Sequence, residues 1–340
     1  MCSGLRFAQK LLRRASSLAR QNLERLTGPH VLDSSLKYEE EKVKWYTPEK
    51  FYPVRVWEVF DNRYQVVSEA NSRQAAREWE VYRHLNSITT SHAGSKCVPM
   101  LLDSFNNTTD TGSHICMVHK PLGLRISDFQ GLIPGGKLPQ DILKFTLKHF
   151  LLALEFLHSE CHLAHCDLQA KNILMGIDDE DVLTEFEEAE VRDPILCDFG
   201  EARIGDGKFT EDIQLFLYRA PEVILQKSWD KKVDIWNLGV LIWDLSQSKH
   251  LFDARDANNE TTNIMHLAEM IALLGSPPKS FVEGSPIVGD YFDKSRRWIG
   301  DNLTGKEKIL FLQFMRKMLR WVPEKRMSAF DLLDDPWLNS

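Results

Sequence analysis

Eight residues, His165 to Asn172 (HCDLQAKN), constrain this 340-residue chain more than any other stretch, because Asp198, Phe199 and Gly200 answer them further along. An Asp at the centre of a loop can accept or orient a hydroxyl proton. An Asn five positions later, and a second Asp ahead of Phe-Gly, supply the hard oxygen ligands that suit magnesium. Such a short pattern arises by chance when it stands alone. Here further segments follow in order. Ala220-Pro221-Glu222 lies 22 residues after Asp198, DIWNLG sets Asp234, Trp236 and Gly239 at the start of an apolar helix, and Arg326 stands in PEKRM.

The chain has ample apolar material for a core, with 43% hydrophobic and 27% charged residues, as in ordinary soluble globular proteins. No apolar run reaches the length of a membrane span, and the longest, Phe150 to Leu157 and Leu238 to Leu245, read as buried helix. Six scattered cysteines with no C-x-x-C spacing predict neither disulfides nor zinc, and favour a reducing compartment. A net charge of −7 argues against nucleic acid as a direct partner. That charge is unevenly spread. Residues 1–23 carry five basic side chains and no acid, whereas Asp178 to Glu190 carry eight acids and no base, as a solvated loop does.

Along the chain, Phe7, Leu11, Leu12, Ala15 and Leu18 fall at helical spacing among Arg6, Lys10 and Arg13. Two readings stand for this basic amphipathic extension, residues 1–30: a mitochondrial presequence, or a helix or tail outside the fold. Val54 to Val67 reads as strand material turning at Asp61-Asn62, and Ala75 to Leu85 as a helix with Ala75, Trp79, Tyr82 and Leu85 on one face. Val98 to Phe105 and Ile115 to Val118 read as short strands, and the pattern after Pro121 is helical, notably from Asp141 to His158. The expectation is an α+β protein of two lobes, a β-rich part at 31–118 and a mainly helical part at 119–340. An acidic insert occupies 176–193 of the second lobe.

In their order these segments match a protein kinase, with H-x-D-L-x-x-x-N as catalytic loop and D-F-G as metal-binding loop. The chain from 54 to 340 resembles the SR-protein kinase family most closely. The resemblance is carried by FTEDIQLFLYR at Phe209 to Arg219, and by FYPVRVWEVFDNRYQVV, HICMVHKPLG, PILCDFGEAR and PEKRMSAFDLLDDPWL. It implies a bilobal fold, ATP and magnesium as cofactors, Asp167 as catalytic base, and Asn172 and Asp198 as metal ligands. It further implies a hinge at His119, Lys120 and Leu122, a structural role for His165 and Gly200, and an activation segment containing Thr210 and Arg219. Glu222 would pair with Arg326, and Asp234 would steady the catalytic loop from below. Lys120 is expected to point to solvent, leaving adenine to backbone groups.

Three departures qualify these expectations. Cys166 replaces the Arg that receives an activation-loop phosphate, so the segment is expected to be ordered without one. Gln169 replaces a Lys that contacts the transferring phosphate, which weakens charge stabilisation. The largest lies in the small lobe. Glu78 is placed as the helix Glu of the nucleotide site, yet no glycine occurs between Leu36 and Gly94 and no lysine between Phe51 and Ser95. The Gly-rich loop and the strand Lys are therefore both missing, as if cut out between Val67 and Ser68. Arg73 and Arg77, on the first turns of the helix, are not expected to replace that Lys at the phosphates. A small sheet of roughly three strands with an exposed edge is the predicted result.

The resemblance implies a Ser/Thr kinase acting on serines of Arg/Ser-rich basic proteins, with a part in mRNA splicing. It implies no direct nucleic acid, no membrane, a monomer, and a place in cytoplasm and nucleus. The missing roof and Lys support an alternative: a pseudokinase or incomplete product that binds Arg-rich partners without phosphotransfer.

Overall fold

A computed structural model describes residues 59–60, 64–65, 75–109, 112–120, 122–176, 193–283, 285–287, 289 and 309–339. The extension at 1–30, the Val67–Ser68 junction, Arg73 and the acidic block of 178–190 lie outside the described residues.

The fold is mixed helix and sheet, with a limited sheet ahead of residue 119 and a helical body after it. Two helices organise that body. Gln140–Ser159 buries Ile142, Leu143, Leu147, Phe150, Leu151, Leu154 and Leu157, the three-and-four spacing of a wide apolar face. Each such side chain contributes about 1.5–3 kcal/mol by leaving water. Lys232–Gln247 is apolar all round, and Val233, Ile235, Trp236, Leu238, Val240, Leu241, Ile242 and Leu245 are all buried. A helix of that kind must be enclosed on every side. Gly239 allows the enclosure, because a Cβ there would stand 2.9 Å from Leu319 Cδ2 and 3.2 Å from Met318 Cβ. The C-terminal turn is pinned by a capping box, in which the Ser328 hydroxyl accepts from Asp331 N and the Asp331 carboxylate accepts from Ser328 N.

In the first lobe the strand Val59–Phe60 pairs antiparallel with Tyr64–Gln65, around the predicted turn. The helix spans Ala75–Ser87 and buries Val81, Tyr82 and Leu85, with Trp79 partly covered. Two expectations need correction. The apolar run Val98 to Leu102 is not a strand, which begins only at Asp103 and continues through polar residues to Thr109, paired with Gly112–Val118. Val98 and Leu101 are apolar because they pack into the core, where burial, not a ladder, satisfies them. The predicted three-stranded sheet is instead two separate two-stranded hairpins among the described residues.

Past His119 the chain runs beside the catalytic loop's strand, Ile173–Met175. Gly123 N donates to Met175 O at 2.7 Å, and Met175 N donates to Leu124 O at 3.0 Å. This pairing carries the junction between lobes over the catalytic turn. No described helix is long and apolar enough to cross a membrane, and the five described cysteines are free thiols.

Candidate active site

The catalytic turn is held from one side by the enclosed helix Lys232–Gln247. Asp234, fully buried on its first turn, accepts three hydrogen bonds: from His165 N and Cys166 N at 2.8 Å each, and from His158 Nε2 at 2.8 Å. Burial alone would raise its pKa, but the His158 hydrogen bond and the neighbouring histidines outweigh it and hold the carboxyl below the ordinary range. One turn on, Asn237 grips the same loop twice, with Leu168 N donating to its Oδ1 at 3.1 Å and its Nδ2 donating to Leu168 O at 2.8 Å.

His165 is the pivot. Asp167 N donates to its Nδ1 at 3.3 Å, so Nε2 carries the proton and donates to Cys197 O at 3.1 Å. Its ring lies 5.1 Å from Phe199, which meets Tyr82 edge-on at 5.3 Å, and Tyr82 in turn lies 4.5 Å from His119. A column of rings thus joins the two lobes, anchored at Asp234.

Asp167 presents its carboxylate beside this column. Gln169 Nε2 donates to Oδ1, and Asn172 Nδ2 donates to Oδ2 at 3.1 Å and to the Asp167 carbonyl at 3.0 Å. Burial pushes the Asp167 carboxyl up from its ordinary value, the charge of Asp198 adds to the rise, and His165 and the Gln169 bond oppose it. Asp198 is held in the left-handed region at φ 66°, and its Oδ1 accepts from Gly200 N at 3.3 Å. Cys166 at φ 67° and Gln214 at φ 66° share that strained region, which costs about 1–3 kcal/mol per residue and persists where the surroundings dictate it.

Among the described residues no three His, Cys, Asp or Glu side chains cluster as a metal site by themselves. A magnesium ion fits a different set. Asn172 spends its NH2 on Asp167, and Asp198 spends Oδ1 on Gly200, which leaves Asn172 Oδ1 and Asp198 Oδ2 as oxygen donors alongside substrate phosphates.

Glu78 sits on the other side of the Asp-Phe-Gly turn and accepts from Phe199 N at a long 3.4 Å. No Lys or Arg pairs with it among the described residues. Burial, and then the charge of Asp198, raise its pKa from 4.5 to about 7. Arg77, its neighbour, reaches the same turn but donates to Gly200 O at 3.1 Å and to Glu201 Oε2 at 3.2 Å. Its guanidinium is committed there and not to Glu78.

The activation segment from Gly200 to Glu222 is braced by the chain's own groups. Arg203–Ile204 pairs with Leu163–Ala164, and Phe209 and Trp229 exchange two backbone hydrogen bonds at 2.9 Å. Gln214 turns its side chain inward, donating to Val233 O at 3.0 Å and accepting from Ala220 N at 2.9 Å. Arg219 donates to Asp212 Oδ2 at 2.9 Å, and the Tyr218 hydroxyl donates to Asp244 at 2.6 Å. Glu222 and Arg326 form a two-pronged ion pair at 2.5 and 2.6 Å, both side chains buried. Thr210 is exposed, its N donating to Glu211 Oε2 at 3.2 Å. Cys166 is buried and offers no cation to this segment.

At the hinge, His119 Nδ1 contacts Met100 O at 3.0 Å, Lys120 is exposed, and Leu122 is half-buried. A cavity of about 250 Å³, lined by Lys208, Lys227, Trp229, Asp230, Phe281 and Glu324, does not include any of the cleft residues. Asn237, Gln214, His158 and Asp244 were not singled out from the sequence. The signal for the first was available, a lone amide three positions after Asp234 in an otherwise apolar helix.

Comparison with known proteins agrees with this geometry. Residues 62–338 match the protein kinase domain. A serine/threonine protein kinase of Aspergillus fumigatus is 39% identical, covering 91% of this chain and 92% of its own. That alignment runs over 364 positions, more than the 340 residues here, so the relative holds residues with no counterpart in this chain. The serine/threonine-protein kinase SRPK of Physarum polycephalum is 28% identical over 88% of this chain and 91% of its own. A probable serine/threonine-protein kinase, sky1, of Dictyostelium discoideum is 36% identical over 42% of this chain and 24% of its own. The chain therefore belongs to the protein kinase family, with the kinship of an ATP-dependent serine/threonine kinase.

Proposed function

We propose that this chain transfers the γ-phosphate of ATP to serines of Arg/Ser-rich proteins, and so takes part in regulating mRNA splicing. The observation that carries the catalytic half is the carboxylate of Asp167, oriented by Gln169 and Asn172 on a loop clamped by Asp234 and Asn237. A carboxylate so placed accepts the proton of the attacking hydroxyl, and positioning supplies much of the rate in phosphoryl transfer. Asn172 and Asp198 would hold magnesium, which when bound neutralises charge on the phosphate oxygens. Phe199 and His165 fix where those ligands stand.

The substrate class is supported by the FTEDIQ segment and by exposed acids near it. The His162 hydrogen bond holds Asp206 below the ordinary carboxylate range, and backbone N–H groups do the same for Glu211, so both are charged at neutral pH. Such charges attract basic peptides and speed their encounter at low salt. The chain acts as a monomer in cytoplasm and nucleus, touching neither nucleic acid nor membrane. A fluorescent fusion with and without residues 1–23 tests that placement, since mitochondrial signal lost on truncation would replace it.

A second reading is favoured by one observation, the carboxyl of Glu78, which no Lys or Arg meets among the described residues. With no strand Lys to pair with it, the chain would bind Arg-rich partners and transfer nothing. A thermal-shift titration with magnesium-ATP, beside an Asp198→Ala control, separates the two. A saturable rise in melting temperature that the control loses supports the kinase reading. Phosphotransfer to an Arg/Ser peptide in preference to a Lys/Ser peptide then supports the substrate class. A folded protein with no shift, yet with retained binding of the Arg/Ser peptide, would establish the second reading.

A further inference from the structure

The enclosed helix Lys232–Gln247 meets the activation segment near its C-terminal end, and one carboxylate joins the two. Asp244 stands in the last turn of that helix with its side chain only 12% exposed. Its Oδ2 meets the Tyr218 hydroxyl at 2.6 Å and His250 Nδ1 at 2.7 Å, and its Oδ1 accepts from Leu251 N at 3.2 Å. The chain doubles back to allow this, with Ser248 left-handed at φ 56° and its N donating to Asp244 O at 2.9 Å. The His250 side chain is 58% exposed, whereas Tyr218 is buried. Their rings also meet edge-on, 6.2 Å between centroids. A surface imidazole thereby reaches a buried hydroxyl of the activation segment through one shared oxygen.

The protons along this path can be placed. Burial, and then the charge of Asp244, raise the Tyr218 pKa, so its hydroxyl keeps a proton and donates. Burial raises the Asp244 carboxyl, and the Tyr218 and His250 bonds oppose the rise. A neutral imidazole carries one proton on either ring nitrogen, and only the tautomer with Nδ1–H donates to a carboxylate. An imidazolium donates in every case and adds a charge. The neighbouring groups do not share this behaviour. His266, on the helix Asn263–Leu274, packs against Phe252 and Phe216, and burial lowers its pKa to about 3. Arg219, beside Tyr218, pairs with Asp212. Lys249 precedes His250 and is exposed, and Gln130, on Ile126–Leu132, donates to the Asp244 carbonyl without bringing a charge.

We propose that His250 is a positioning residue for the activation segment: it holds Tyr218 through Asp244, more firmly as an imidazolium than as a neutral ring, so that peptide binding weakens as pH rises. The effect on peptide rests on the kinase reading above. The hold on the segment does not.

His250→Asn and His250→Ala in the full chain, compared with the unaltered chain from about pH 5 to 8, test this. Asn sets an amide donor where Nδ1 stands and does not titrate. The KM for an Arg/Ser peptide in the unaltered chain, divided by that of His250→Asn at the same pH, is expected to rise about fivefold across the window. That is the difference between a charge-assisted and a neutral hydrogen bond. The division removes titrations that the two proteins share. The same division of kcat should stay level, because Asp167 stands on a loop held by Asp234 and Asn237. His250→Ala should show a raised KM at every pH, which the Asn variant rescues. Hydrogen exchange of the amides at 214–220 reads the segment without turnover, and protection in the unaltered chain relative to His250→Asn should fall over the same window. Either ratio, of KM or of exchange, staying level with pH in a chain that turns over would overturn the assignment and leave the kinase reading standing. If the unaltered chain phosphorylates no peptide, the kinase reading falls, and exchange alone then decides: a level ratio sinks the role of His250, and a falling one upholds it.

Discussion

Asp234 and Glu78 are acids removed from water beside the same catalytic turn, and burial has opposite outcomes for them. Asp234 accepts three short hydrogen bonds, from two backbone N–H groups and His158, and stays ionised more readily than a free carboxyl. Glu78 has one long bond and the nearby charge of Asp198, and holds its proton up to about pH 7. Desolvation disfavours the charged form in both, so the partners decide the sign. The large lobe supplies donors for its buried acid, and no Lys or Arg among the described residues of the small lobe does the same for Glu78. Among the described residues the turn that carries Asp167 is thus braced on every side, while the acid that meets it from the small lobe has a single long bond.

The harshest way to break this contrast is Asp234→Ala. It strands His158 Nε2–H and two backbone N–H groups in the core, and should cost about 3–5 kcal/mol in denaturant unfolding and abolish turnover. Asp234→Asn should cost less, since one acceptor oxygen remains. Because the Asp234 pKa is depressed, its contribution is present above 3.8 and is lost only as pH falls through the lower folded value.

Glu78→Gln should show the opposite sign. The raised pKa means that the protonated acid favours the folded state, fully below 4.5 and no longer once pH passes about 7. The unaltered chain should therefore lose stability between those values, by on the order of 2–3 kcal/mol, relative to a Gln variant whose profile is flat there. Parallel melting profiles for the two proteins would refute the account of Glu78. A smaller effect, about 1–3 kcal/mol, is expected for Asn237→Ala, which leaves Leu168 N and O without partners, read in the same denaturant unfolding. The least is expected from Arg77→Ala. Its pair with Glu201 is exposed, 45% and 33% for the two side chains, so the change should stay below about 1 kcal/mol in a double-mutant cycle.

The supports of the Asp167 turn were legible because their chemistry restricts the residue types. Glu222 with Arg326 needs opposite charges, and Asp234 needs donors from the loop above it, so order along the chain sufficed to pair them. The helices Ala75–Ser87 and Gln140–Ser159 were legible from spacing. Gln214 and His158 were not, because an amide or imidazole in an apolar neighbourhood looks the same whether it braces a loop or caps a surface. The Val98 to Leu102 run misled because only Val98 and Leu101 are buried while Met100 and Leu102 are exposed, and burial is compatible with coil as well as strand. Polar Asn106 to Thr109 hid a real hairpin for the converse reason, since cross-strand pairing fixes it without a buried face.

The Glu222–Arg326 pair also has a consequence for biosynthesis. Its partners are separated by 104 residues, so the anchor of the activation segment cannot close until that much more chain has been translated. At about 5–20 residues per second the delay is roughly 5–20 s. During that interval Glu222 has no guanidinium to meet, and the segment that would receive substrate has no fixed end. The geometry of the segment is therefore set by a part of the chain made well after it.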